Sequence, residues 1–172
     1  MTAAARRVRH MRGARSGEVR GFTLIELVVV LAILGVLAAM AFPVAELATR
    51  RVKEQELRTS LREIRTAIDR YKAMVDEGRI PRGANETGYP KTLAVLASGV
   101  PDVTRPNRDR IYFLRRVPRD PFNPDSTLPP EATWGKRSYA SPPEAPAEGA
   151  DVFDVYSTSE AVGLNGVPYR EW

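Results

Sequence analysis

Cysteine is absent from the chain, which excludes disulfide scaffolds, thiol nucleophiles and thiolate metal sites together. Histidine is nearly absent as well: His10 is the only one, and neither an HExxH motif nor a Gly-rich phosphate loop occurs. Proline is all but missing from the first eighty residues, whereas twelve of the fourteen lie between Pro81 and Pro146. Long helices are therefore excluded from that later stretch and permitted before it. The formal net charge of +5 also shrinks when it is mapped. Arg6, Arg7, Arg9, Arg12, Arg15 and Arg20 stand against one acid, Glu18, in residues 1–21, and acids and bases balance in the remainder. Such a leader retains its end of the chain in the cytoplasm and argues against a nucleic-acid-binding body.

What is present begins with an apolar run. From Phe22 to Ala45 the only charge is Glu26, and Leu27–Ala45 carries none. That length is close to the roughly 20 residues needed to cross a bilayer core, and a helix satisfies all its own backbone groups there. A secretory signal is the rival reading, with a small-residue site around Ala38, Met40 and Ala41. Against it stand the length of the run and the carboxylate near its start. The Arg6-Arg7 pair reads as chance within an arginine-rich leader.

An apolar stripe continues through Leu57, Leu61, Ile64, Ile68, Tyr71 and Val75 at helical spacing. The spacing predicts one helix of about 55 residues, amphipathic in its second half and closed by Gly78. Glu46–Arg50, Glu54–Arg58 and Arg65–Asp69 are placed to support its surface. A two-stranded coiled coil is the alternative use of this stripe; packing against the chain's own C-terminal part is preferred. Beyond Gly78, a short helix is expected over Tyr89–Ser98, a strand or packed loop at Ile111–Leu114, and strands at Trp134–Ala140 and Val152–Ser157. A small antiparallel sheet on the amphipathic helix gives an α+β domain, since neither element buries its apolar side alone.

The junction Arg20-Gly21-Phe22-Thr23-Leu24-Ile25-Glu26 resembles the processing site of type IV prepilins and type II secretion pseudopilins. Tyr89-Pro90-Lys91-Thr92-Leu93, the turn around Pro118-Arg119-Asp120-Pro121-Phe122 and the terminal Gly166–Trp172 stretch resemble the major pseudopilin. The resemblance implies a pilin fold, with residues 1–21 a cleaved leader, 22–45 a transmembrane and assembly helix, 46–77 its amphipathic soluble half and 78–172 a periplasmic domain. It implies cleavage between Gly21 and Phe22 by a prepilin peptidase, N-methylation of Phe22, and Pro43 at the family's helix-bending proline. Met11 as initiator would give a leader nearer the family's usual length.

Implied partners are other copies of the chain through their N-terminal helices, other pseudopilins and an inner-membrane assembly platform. Implied location is the bacterial inner membrane, single-pass, with the C-terminal domain in the periplasm. A carboxylate in an apolar segment needs a partner. The amine created at Phe22 of a neighbouring subunit would supply one for Glu26 and penalise wrong registers. A membrane-edge glutamate is the plainer alternative.

One departure bears on cofactors. Major pseudopilins carry an aspartate-rich C-terminal loop that binds calcium, whereas Ser157–Val167 has Glu160 as its only acid. Ser157, Ser159, Glu160 and Asn165 with backbone carbonyls would make only a weak calcium site, so no cofactor is expected. Packing of Tyr169 and Trp172 is the alternative fastening. Asp120 is expected to accept backbone N–H bonds in its turn, with Phe122 as anchor. The acid pairs Asp151/Asp154 and Asp76/Glu77 read as solvated surface or caps. The arginines at 105, 108, 110, 115, 116 and 119 are interleaved with acids, so nucleic-acid contact is not favoured. The expectation is a noncatalytic structural subunit of a pseudopilus for type II secretion, with a type IV pilus subunit or DNA-uptake pseudopilin as alternatives.

Overall fold

A computed structural model describes residues 21–172 except Pro106 and Arg108; the helix side chains at positions 40–44 are also outside the described residues. The leader arginines, His10 and the surroundings of Pro43 therefore lie outside it. The chain divides into two compact units at residues 44 and 45.

Helix α1 runs over Leu24–Asp76, 53 residues, close to the expected length. Its end follows from Gly78, which sits at φ 72°, a conformation open to glycine at little cost. The Arg79 amide donates to the Met74 carbonyl and the Gly78 amide to the Val75 carbonyl, both at 3.0 Å. That pair of bonds is a Schellman closure, which satisfies carbonyls the helix end would leave bare.

In the first unit the apolar side chains from Phe22 to Leu37 stay largely exposed. Among the described residues no helix is long and apolar enough to cross a membrane. The expected span over 27–45 also draws on the side chains at 40–44.

In the second unit the predicted stripe is the core. Leu57, Ile64 and Ile68 are fully buried, and Leu61 and Val75 nearly so, with Tyr71 packed at the margin. Trp134, Val155 and Tyr169 cover them from the C-terminal part, joined by Leu93, Leu96 and Val152. The stripe is thus covered within the chain, and the coiled-coil alternative is not needed.

The remaining elements are short. Helix α2 covers Leu93–Ser98, β1 Val100–Pro101 and β2 Arg110–Ile111, β3 Trp134–Arg137 and β4 Asp154–Ser157. One-turn 3₁₀ helices occupy Pro130–Ala132 and Tyr169–Glu171. Two antiparallel pairs form, β1 with β2 and β3 with β4, with Trp134 opposite Ser157 and Arg137 opposite Asp154. The result is the expected α+β pilin arrangement, but with two separate two-stranded sheets instead of one.

Three further differences have identifiable causes. Helix α2 starts later than expected because Thr92 is extended (φ −146°, ψ 155°) and the Pro90 carbonyl accepts from the Val152 amide at 2.8 Å. Strand β3 stops at Arg137 because the Ser138 amide turns to Ala147 O (2.9 Å) and the Tyr139 amide to Asp151 Oδ1 (2.9 Å). The expected pairs on α1 also exchange partners: Arg50 approaches Glu54 (3.7 Å) and Arg65 reaches Asp154 (2.7 Å). Arg65 takes a tertiary partner because Asp154 is shielded from water better than Asp69 on the open helix face, whereas Arg50 keeps a helix neighbour, Glu54.

The loop between β1 and β2 is pinned to the end of α1. Asp102, almost fully buried, accepts from Arg79 at 2.6 Å and from the Thr104 hydroxyl at 2.6 Å. The Arg79 guanidinium, then the Thr104 bonds, hold its carboxyl down at about 2 against the opposing effect of burial. A depressed folded-state pKa gives stability that is present above the unfolded value near 4 and lost as pH falls toward 2. The residue 45–172 fragment should therefore lose melting temperature between about pH 4 and 2. Asp102→Asn should be less stable at neutral pH and should flatten that acid limb. Parallel melting curves for the two proteins over this range would remove the pair from the stability account.

Candidate functional site

The first turn of α1 is built by Thr23. Its hydroxyl accepts the Glu26 amide at 3.2 Å and its carbonyl the Leu27 amide at 3.1 Å, so Thr23 is the N-cap. The Thr-x-x-Glu spacing is that of a capping box, a signal present in the sequence that the motif reading passed over. Glu26 stands in the first turn, where the helix dipole favours an anion. Among the described residues its carboxylate has no ion-pair partner.

Phe22 and Leu24 are each 81% exposed. Among the described residues a Cβ placed on Gly21 would meet nothing within 4 Å, so none of them demands glycine there. The four residues Gly21, Phe22, Thr23 and Glu26 line one open hollow. Glycine, a bare aromatic side chain, a capped first turn and an unpaired carboxylate thus share one end of the helix. Pro43 falls in the stretch whose side chains are outside the described residues.

In the second unit the C-terminal loop is held by α1 itself. Glu54 is 7% exposed, and its Oε1 accepts from the Leu164 amide (2.7 Å) and the Tyr169 hydroxyl (2.9 Å). Arg50 donates to the Tyr169 oxygen at 3.1 Å and to the Val162 carbonyl. Tyr169 is fully buried, stacked on Phe122 at 4.0 Å and edge-on to Trp172 at 5.0 Å. Burial raises its hydroxyl pKa. Arg65 completes the fastening with bonds to Asp154 (2.7 Å), Val155 O (3.0 Å) and the Trp172 main-chain oxygen (2.7 Å). Sequence reasoning anticipated Tyr169 and Trp172 here but not Arg50, Glu54 or Arg65; the partners lie more than eighty residues away.

The oxygens considered for calcium are spent or scattered. Ser157 is buried and donates to Asp120 Oδ2 at 2.5 Å, the Asn165 side chain accepts the Val167 amide at 3.2 Å, and Glu160 is exposed. Among the described residues no group of three or more His or acidic side chains converges. Asp120 does accept the Phe122 amide (2.8 Å), as its turn predicted. Its pKa is pushed up by burial, against the bonds from Ser157 and Phe122.

The acids read as solvated surface include two structural ones. Asp151 is buried and bonded to the Thr87 hydroxyl and the Tyr139 amide, and Asp154 pairs with Arg65 and with Arg137 at 3.5 Å. Asp76 pairs with Lys72 on the helix surface. The arginine group is dispersed: Arg105 faces Asp102 and Asp109, Arg110 donates to Gly99 O and Arg119 to Leu128 O. Arg115 and Arg116 are exposed, and Arg108 lies outside the described residues.

Residues 18–42 match the prokaryotic N-terminal methylation motif. The chain is 31% identical over 121 residues to type II secretion system core protein G of Dickeya chrysanthemi, covering 68% of this chain and 72% of that protein. It is 33% identical over 111 residues to the protein of the same name from Pseudomonas aeruginosa, covering 64% and 73%. The type IV major pilin protein PilA of Myxococcus xanthus is 42% identical over 78 residues, 41% of this chain and 36% of that one. No solved structure gives a significant match.

Glu54 is the common acceptor of the clasp, so its removal strands a buried hydroxyl and an amide. Glu54→Ala should destabilise the second unit by about 1–3 kcal/mol and open residues 158–168 to protease before the core. Unchanged melting and unchanged cleavage would show that the loop is held elsewhere.

Proposed function

Because the chain belongs to the family of type II secretion system core protein G, the major pseudopilin, we propose that it works by polymerising through α1 into a pseudopilus. It is a structural subunit of type II protein secretion. The match to the type IV pilin reaches only 36% of that protein, against 72% of the core protein G of Dickeya chrysanthemi, so the secretion reading takes precedence over a pilus or DNA-uptake one. The observation that carries it is the helix start: an open Gly21-Phe22 junction one turn before Glu26, which has no ion-pair partner among the described residues, on a segment whose apolar side chains from Phe22 to Leu37 are largely exposed.

The proposed sequence of events follows from that end of the chain. Arginines before the apolar segment keep the leader inside while the neutral domain crosses to the periplasm, leaving a single-pass subunit in the inner membrane. A prepilin peptidase cuts after Gly21, where the absence of a side chain and of any packing leaves the backbone accessible, and Phe22 becomes the methylated N-terminus. The new amine of one subunit then meets Glu26 of the next as the helices leave the bilayer for the filament core. A carboxylate in lipid is costly and a paired one in a packed core much less so, so the pair favours assembly and penalises slipped registers. An inner-membrane assembly platform and other pseudopilins are the expected partners.

The reading keeps the expectation of a noncatalytic subunit without a bound cofactor; in its support, the Val162 carbonyl of the C-terminal loop already accepts from Arg50.

Two outcomes test this. N-terminal sequencing or intact mass of the membrane form should give a chain starting with methylated Phe22, and in Glu26→Val the processed monomer should persist while filaments and crosslinked oligomers are lost. A start at Met1 or Ala41, or normal oligomers from Glu26→Val, would overturn the mechanism. Millimolar-range calcium or a chelator should each leave the melting temperature of the 45–172 fragment unchanged; a rise with calcium would restore the metal site.

A further inference from the structure

The exposed side of the soluble half of α1 is not uniformly polar. Arg51 and Arg58, seven residues apart, lie on one flank with Arg62 beside them. Glu56 and Glu63, also seven apart, lie on the other, about 140° around the axis at 3.6 residues per turn. All five are exposed. Between the flanks runs a strip of small or neutral side chains, including Gln55, Thr59 and Thr66.

None of the five forms an ion pair among the described residues. Arg58 and Arg62 even stand four apart, a spacing at which like charges destabilise a lone helix. The cationic flank is also shaped. Arg58, Arg62, Arg65 and Trp172, with one acid, Asp69, line a groove of about 320 Å³, and the Arg58 guanidinium lies 4.3 Å from the Trp172 ring centre. Stacking of that kind holds a guanidinium face while leaving its N–H edge free for a carboxylate.

We propose that these flanks are the two halves of one interface between copies of this chain, the Arg51/Arg58 edge of one subunit against the Glu56/Glu63 edge of the next. Two different patches on one molecule make a heterologous contact, which propagates into an open helical filament rather than closing as a dimer. The matched seven-residue spacing lets both ion pairs form at once, when the neighbour is shifted by five residues, about 7.5 Å.

The inference rests on the polymer reading above but is independent of Glu26. An amine at Phe22 opposite Glu26 of the next copy implies a shift of four residues in the same direction. The two offsets, four residues in the first unit and five in the second, run in the same direction along the chain. The charged edges therefore extend the register check from the apolar half of the helix into its soluble half.

Because the chain has no native cysteine, disulfide trapping has no background. Full-length chain carrying Arg58→Cys and Glu63→Cys should give a ladder of disulfide-linked multimers on mild oxidation of the membranes. Arg58→Cys with Glu56→Cys uses the same two flanks in the wrong register and should give none, since bridged Cα atoms must approach within about 7 Å.

Arg51→Glu or Glu56→Arg should each lower oligomer yield about fivefold with processed monomer unchanged, and the double reversal should restore it. Arg51 and Glu56 serve here because neither touches Trp172. Equal ladders from both cysteine pairs, or no rescue by the double reversal, would overturn the proposed register. Absence of the ladder while amine-crosslinked, Glu26-dependent oligomers still form would sink this interface and leave the polymer reading standing. Absence of oligomers of every kind removes both.

Discussion

The second unit depends on the burial of one helix stripe, Leu57 to Ile68, beneath Trp134, Val155 and Tyr169. The covering elements cannot stand by themselves: two-stranded ribbons of two and four residues are marginal in water, and six residues are too few for an independent helix. Each is ordered because it lands on α1. The polar details serve the same end. The Trp134 indole N–H donates to Pro118 O at 2.8 Å, which lets a large ring enter the core without an orphaned donor. Gly135 beside it is required by the close approach of Tyr156, whose ring would lie 2.4 Å from an added Cβ.

Against this satisfied inner face stand two surfaces that the chain leaves unfinished. The described apolar side chains from Phe22 to Leu37 are about half exposed or more, and the charges on the flanks of the soluble half of α1 form no ion pair among the described residues. Both are the expected state of a subunit whose structure is completed by its neighbours. They differ in what they contribute. Apolar packing is strong but indifferent to sliding, whereas a few charges at fixed spacing are weak individually and sensitive to register. In the proposed filament the first would supply strength and the second alignment.

The C-terminal loop is fastened by side chains of α1. With Glu160 as the only acid of Ser157–Val167, it is drawn onto the helix by Glu54, Arg50 and Arg65, with Tyr169 as the buried anchor. The donors and acceptors here are charged side chains bonded to backbone groups, the stronger class of hydrogen bond. They also couple the last residues of the chain to the helix whose opposite side is proposed to meet the next subunit.

The sequence by itself determined the helix, its inner stripe, its Gly78 end and the motif around Gly21-Phe22, because each rests on local periodicity or on a few adjacent residues. It also determined the α+β class, since a proline-rich remainder with short apolar runs can only add small elements to a long helix. Tertiary structure alone decided the rest: that Arg65 leaves Asp69 for Asp154 while Glu54, still beside Arg50, reaches the C-terminal loop, that Asp151 and Asp154 are structural, that β3 ends at Arg137, and that the strands form two pairs. The physical reason is common to all of these. A charged side chain or a short strand has several partners of nearly equal worth in water, and only the packed fold shields one of them enough to prevail.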